Sequence, residues 1–567
     1  MKMAIDTDVA VTMRDGVKLS ADIWRPDDGG RHPVLVHAPY TDRRLRNSLG
    51  LVLNVMTAVE RGYAVALVDC RGTWRSGGAW TPFHGHGDDG YDMVEWAAAQ
   101  AWCDGAVGVY GNSGMGVTAL QTAIAAPPHL KAAFTMLTGG NYHEGWAYRS
   151  GVFELAWSLR WARTMSRQNL PRFPDAAKNA QAVMLRDAPK AVRTLPLTDR
   201  SLLPADVVPW YYEWVEHPAY DDYWRGIDGA ARADRIKVPV LQVGGWHDLF
   251  FPGHVDVRAA LQRHSDAKVR DGSRFVVGPW THDTYLGSRS SLNGARDFGP
   301  AADCNAYMTT ALALDFFDHH LRGGPAPQPS RYYMMGENAW RNADAWPPAT
   351  VAQDLFLASN GRANSRHGDG RLAGAAEGPD DHYRYDPRDP VPTAGGAAYA
   401  AELTLDGVRD QRGVEERADV LVYTSLPLKT DLDIAGVVEL VLFAATDGPD
   451  TDFMAKLVDV ETDGFCANIT EGVVRARYRN GLDREELLAP GETVEYRIRL
   501  TDTAHRFKAG HSVRLEISSS NFPRFGRNLN AAVHPNLGTE ADIRTARQTV
   551  LHNSACPSRL VLPVLAG

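Results

Sequence analysis

From Pro33 to Ala126, short apolar runs alternate with amphipathic segments. Pro33–Pro39 and Tyr63–Cys70 are apolar on both faces, and a helical segment near Leu51–Arg61 lies between them. A helix over Asp89–Gln100, a strand at Ala106–Tyr110 and a helix over Val117–Ala126 continue the alternation. Strands apolar on both faces and joined through helices predict a parallel sheet covered by helices. Ahead of them, Asp8–Arg14 and Val17–Trp24 alternate around Asp15-Gly16, the signal of a tight β-hairpin. From about Asn141 to Ala233 the period turns helical and no strand pattern is legible. The α/β pattern resumes at Val238–Gly244, with a helix near His254–Gln262, a strand at Ser273–Gly278 and a helix at Tyr307–Leu321. The middle block therefore reads as a helical cap inserted into the α/β domain.

Pro325–Pro329 begins a transition, and Gly368–Ala400 is rich in Gly, Ala, Asp and Pro. Beyond it nearly every signal is β: Val420–Leu428, Val437–Ala445, Asp452–Val460, Ala467–Tyr478, Thr493–Leu500, Ser512–Ser519 and Arg559–Val564. Many short strands separated by turns predict an antiparallel sandwich or jelly roll. The expected division is 1–140 and 236–345 for the α/β domain, 141–235 for the cap and 346–567 for the β domain.

With 567 residues, 44% hydrophobic and 23% charged, the composition is that of a globular protein rather than a disordered or fibrous one. Sixty Lys and Arg against 69 Asp and Glu leave a net charge of -9. That balance argues against nucleic acid or an anionic membrane as a partner, since either requires a basic face. The start, Met1–Asp6, has no apolar signal core, and no run is long enough to span a bilayer. Five scattered cysteines with no CxxC pair suit reduced thiols. A cytoplasmic protein is expected, with a homodimer as its expected assembly.

The chemistry concentrates at Ala106–Leu120, where a buried strand meets a serine set among glycines and then a helix: Gly111-Asn112-Ser113-Gly114-Met115-Gly116. A nucleophile elbow needs this order, because the serine sits on a strained turn that small neighbours permit, and the helix N-terminus faces developing negative charge. The strict G-x-S-x-G pattern places glycine where Met115 stands. A serine nucleophile needs a base, and the base an orienting acid, in chain order Ser, Asp, His. Asp248 follows the strand ending Gly244-Gly-Trp-His247, and His282 follows Gly278-Pro-Trp-Thr281. Ser113, Asp248 and His282 are thus the expected triad, with His247 and His254 as competing bases.

The sequence resembles the cocaine esterase-like serine hydrolases, which group with the Xaa-Pro dipeptidyl-peptidases and the α-amino-acid ester hydrolases. The resemblance rests on Ala38-Pro39-Tyr40, Asp69-Cys70-Arg71-Gly72 with Ser76-Gly-Gly78, and Trp96 to Gly116. It continues through Gly244–Asp248, Gly278–His282, Met335–Trp340 and Ser518–Arg524. It implies an α/β-hydrolase domain, a helical cap, and a C-terminal jelly roll of galactose-binding-like type that helps wall the site. It also implies an oxyanion hole made by the Tyr40 hydroxyl and the Gly114 backbone N–H. Members usually carry Tyr after the serine; Gly114 keeps the backbone donor and changes the pocket wall.

Residues 145–225 hold six of the chain's 15 tryptophans, Trp146, Trp157, Trp161, Trp210, Trp214 and Trp224, which suits an aromatic cleft for a small hydrophobic substrate. Trp74, Trp146, Trp161 and Phe250 are the expected substrate-binding residues. The reading is hydrolysis of small carboxylic esters through an acyl-enzyme. The alternatives are amide or peptide hydrolysis, with Glu213, Asp221 and Asp222 as candidates for recognising a free amine, and a non-catalytic binding protein using the β-sandwich. No cofactor is implied. His84-Gly-His86-Gly-Asp88-Asp89 has some metal-ligand character, but it precedes a helix where Asp serves as cap and first-turn charge, so no metal is expected.

Overall fold

The computed structural model describes residues 2–172, 188–284, 290–399 and 403–566. Ten strands form the first sheet: β1 Met3–Thr12, β2 Lys18–Pro26, β3 His32–His37, β4 Ala64–Val68, β5 Cys103–Asn112, β6 Leu130–Met136, β7 Val240–His247, β8 Arg274–Thr281, β9 Arg331–Met334 and β10 Ala339–Asn342. Their order is β1-β2-β4-β3-β5-β6-β7-β8-β9-β10. The strands from β4 to β9 run parallel, while β1, β2 and β10 are antiparallel to their neighbours. Helices His86–Ala98, Ser113–Ala125, Phe251–Gln262 and Ala306–Arg322 connect and cover them. This is the α/β-hydrolase arrangement, with every parallel strand presenting its carboxyl end to one side.

The order reverses between β4 and β3, and β5 lies next to that switch. β4 is buried along its whole length and β7 likewise, as expected of strands covered on both faces. β6 and the β9–β10 hairpin carry no strand signal in the sequence reading. Leu130-Lys-Ala-Ala-Phe-Thr-Met136 contains helix-favouring Lys and Ala, and its extended state follows from pairing with β5 on one side and β7 on the other.

In the cap, helix Leu155–Asn169 carries Trp157 and Trp161, and helix Pro209–Glu216 carries Trp210 and Trp214. The segment also contains a small hairpin, Tyr148–Arg149 with Val152–Phe153, where no strand was expected. Its register follows from docking on the β domain: Arg475 N–H donates to Ser150 O at 3.1 Å, and Asn536 Nδ2 to Tyr148 Oη at 2.9 Å. The part of the expected cap between 172 and 188 lies outside the described residues.

From Thr350 onward the chain builds a second sheet of 13 strands, Thr350–Ala358 through Arg559–Leu565. Asp452–Val460 lies one strand in from an edge of the sheet, between Cys466–Arg475 and Ser512–Ser518. Asp381–Tyr385, inside the Gly- and Pro-rich stretch, is also one of its strands. One apolar core runs across the junction, joining Trp246, Phe251 and Phe275 to Trp346, Leu442 and Leu515. Buried Arg524 pairs with Glu154 of the cap at 3.1 Å and with Glu471 of the β domain. Losing one member of such a triad would strand a buried charge, at a cost of about 3–5 kcal/mol.

Candidate active site

Four carboxyl ends of parallel strands supply the site. Tyr40 follows β3, Ser113 follows β5, Asp248 follows β7 and His282 follows β8. Ser113 has φ of +51°, a left-handed conformation that is costly for a serine and is held between β5 and the helix it starts. Gly111 makes the turn sterically possible, since a Cβ there would sit 2.1 Å from the Met115 carbonyl oxygen.

Ser113 Oγ lies 2.9 Å from His282 Nε2, and His282 Nδ1 lies 2.9 Å from Asp248 Oδ1. Asp248 Oδ1 also accepts the Phe250 N–H at 3.2 Å, which fixes the carboxylate against its own loop. All three side chains are buried. The His282 ring is held by aromatic neighbours, with Phe250 at 4.8 Å and Tyr399 at 4.6 Å, both near edge-on. The competing bases are occupied elsewhere. His247 Nδ1 meets Asn293 Nδ2 at 3.0 Å and His254 Nδ1 meets Thr138 O at 3.0 Å, and burial pushes both imidazoles down to about 4.

Tyr40 packs directly on Gly114, where a Cβ would come within 2.1 Å of its Cε1. Glycine after the serine therefore lets the ring sit directly against the backbone in this pose. Burial pushes the Tyr40 hydroxyl above its ordinary value, so it is a protonated donor, while Trp161, Ser113 and the Gly114 N–H pull the other way.

A cavity of about 200 Å³ opens over these groups. Its floor is Tyr40, Thr41, Ser113, Met115 and His282. Helix Leu155–Asn169 forms one wall with Trp157, Arg160, Trp161, Thr164, Met165 and Gln168, and Tyr399 closes another side. The spacing of those wall residues is helical and so was legible in the sequence, where Trp157 and Trp161 stood out by composition. Nothing local marked Arg160, Gln168 or Tyr399.

Of the expected substrate residues, Trp161 lines the cavity. Trp146 is buried next to it, stacked on Phe250 at 3.8 Å, and Phe250 turns its ring toward His282. Trp74 is 37% exposed and donates its indole N–H to Tyr40 O at 3.1 Å, so it braces the Tyr40 backbone from outside. The cap carboxylates are engaged away from the described cavity wall. Glu213 accepts from Tyr223 Oη, Asp221 caps a short helix and meets His217, and Asp222 pairs with Arg225. His86 is buried and pushed down to about 4, and Asp88 pairs with Arg14. Among the described residues no group of three or more His, Cys, Asp or Glu is arranged to hold a metal. No helix among them is long and apolar enough to cross a membrane.

Fold and site together define an α/β-hydrolase-type serine hydrolase with an appended β domain. The profile of the X-Pro dipeptidyl-peptidase (S15 family) matches residues 15–284, and that of the X-Pro dipeptidyl-peptidase C-terminal non-catalytic domain matches residues 325–561. Cocaine esterase of Rhodococcus sp. (strain MB1 Bresler) is 35% identical over 578 aligned positions, covering 99% of both chains. An aminopeptidase from a marine sediment Thaumarchaeota archaeon superposes with a TM-score of 0.82 at 25% identity, covering 100% of this chain and 96% of its own. An α-amino acid ester hydrolase superposes with a TM-score of 0.83, also at 25% identity, over 99% and 97% of the two chains. The chain belongs to the cocaine esterase-like members of the S15 X-Pro dipeptidyl-peptidase family and is a serine ester hydrolase.

Proposed function

We propose that Ser113, His282 and Asp248 are the catalytic triad of this hydrolase and that its substrates are small carboxylic esters with apolar or aromatic acyl groups. Ser113 Oγ attacks the ester carbonyl carbon while His282 Nε2 takes its proton. The bond to the alcohol oxygen then breaks as His282 returns that proton to the leaving group. Water repeats the sequence on the acyl-enzyme. Asp248 holds the imidazole through Nδ1–H and stabilises the imidazolium. The Tyr40 hydroxyl and the Gly114 N–H donate to the oxyanion of the tetrahedral intermediate.

The observation that carries this reading is the unbroken Ser113–His282–Asp248 hydrogen-bond chain at the floor of the cavity. The aromatic walls Trp157, Trp161 and Tyr399 support an apolar acyl group. Esters are favoured over free-amine peptides because Glu213, Asp221 and Asp222 are engaged elsewhere. We read the C-terminal sheet as a galactose-binding-like jelly roll beginning near 346, in keeping with its first strand at Thr350. Five free cysteines suit a cytoplasmic location.

Ser113→Ala is the test. It should lower kcat on p-nitrophenyl esters by about 10⁴-fold or more and abolish fluorophosphonate labelling. Melting should stay close to wild type. An adduct mapped by mass spectrometry to another serine would remove Ser113 from its role, and faster turnover of p-nitroanilides than of p-nitrophenyl esters would replace the ester reading with the amide one.

A further inference from the structure

Among the described residues lining the cavity, Arg160 alone carries a fixed charge. Its guanidinium lies over the Tyr399 ring, 4.0 Å from the centroid. Stacking on an aromatic face uses the plane of the guanidinium and leaves its N–H edge able to donate. Arg160 Nη1 is buried and has no hydrogen-bond partner among the described residues. Asp283 Oδ2 is 3.9 Å away, within ion-pair range but beyond hydrogen-bond distance. The indole N–H of Trp157 and the Thr41 hydroxyl, both lining the same cavity, are likewise buried without partners among the described residues. Gln168 Oε1 and Asp283 Oδ1 are buried acceptors near these donors that have no partner among the described residues. Buried polar atoms are normally satisfied, so the unpaired donors on the described wall suit an acceptor carried by a ligand.

Resting on the ester-hydrolase reading, we infer that Arg160 is a specificity residue that binds a carboxylate on the acyl group of the substrate. The preferred esters are then hemi-esters of short dicarboxylic acids, with the ester carbonyl at Ser113 and the carboxylate at the guanidinium. Arginine suits this role because its planar fork matches the two carboxylate oxygens.

The experiment compares p-nitrophenyl hemisuccinate with p-nitrophenyl pentanoate, which replaces the carboxylate by an apolar end. It reads the ratio of their kcat/KM values in wild type, Arg160→Gln and Arg160→Lys. Arg160→Gln should lower the hemisuccinate-to-pentanoate ratio by about 10–100-fold, the range of a hydrogen bond to a charged group. Arg160→Lys, which keeps the charge without the fork, should recover part of that loss. A ratio within about threefold of wild type in Arg160→Gln, with melting and fluorophosphonate labelling intact, overturns the assignment. If wild type hydrolysed neither ester and took up no fluorophosphonate, the hydrolase reading itself would fall.

Discussion

The strand-end loops and the cap helix meet across one cavity, yet they are built by different rules. Ser113, Asp248 and His282 each sit one residue past a parallel strand, and backbone geometry positions them: a left-handed serine, a carboxylate tied to its own loop, and a ring packed between aromatics. The cap presents side chains from a single helix, and much of its polar surface toward the cavity is unpaired. On the proposed reading, chemistry is anchored where the chain cannot easily move, and selectivity rests on side chains that could change without disturbing the sheet.

The sharpest way to break this contrast is on the strand-end side. If Tyr40 donates to the oxyanion, Tyr40→Phe should cost about 10²–10³ in kcat, or roughly 2.7–4 kcal/mol. KM and melting should change little, because the donor acts in the transition state and Phe fills the same volume. A kcat within about threefold of wild type would make Tyr40 a packing residue and move the oxyanion donors elsewhere.

Acid should next distinguish the two regions through stability. His37, His247 and His254, packed among the strands and their loops, are pushed by burial down to about 4. Their unfolded value is about 6.5, so the unfolded chain takes up protons that the folded one refuses. The stabilisation is fully present above pH 6.5 and is lost as pH falls from there toward 4. Between pH 7 and pH 5 each contributes a loss of roughly 2 kcal/mol. Thermal melts across that window should fall steeply, and a flat profile would contradict the buried neutral histidines.

The smallest effect belongs to the cap. Gln168 Oε1 is buried without a partner among the described residues, so Gln168→Leu removes an unsatisfied group and should leave stability unchanged or raise it by about 0.5–1 kcal/mol. Its kinetic signature should be a shift in KM of a few fold. A large loss of kcat there would mean that the cap takes part in the chemistry and would erase the contrast between the two regions.

Much of this molecule was written locally. The strand–turn–helix around Ser113, the parallel-strand runs before Asp248 and His282, and the aromatic density of the cap each depend on residues within a few positions of one another, so periodicity and turn chemistry reveal them in the sequence alone. Other features depend on neighbours distant in sequence. β6 is extended because β5 and β7 flank it, and the hairpin at Tyr148–Phe153 forms where Arg475 and Asn536 meet it. Trp74 and Trp146 are indistinguishable from Trp161 by composition, and packing alone decides that Trp161 faces the cavity. Tyr399 comes from the far side of the domain junction to hold both His282 and Arg160. Local sequence determines which residues can do chemistry, because strand ends and tight turns are local. The tertiary structure decides which side chains they meet, because that follows from long-range packing that no single window of sequence contains.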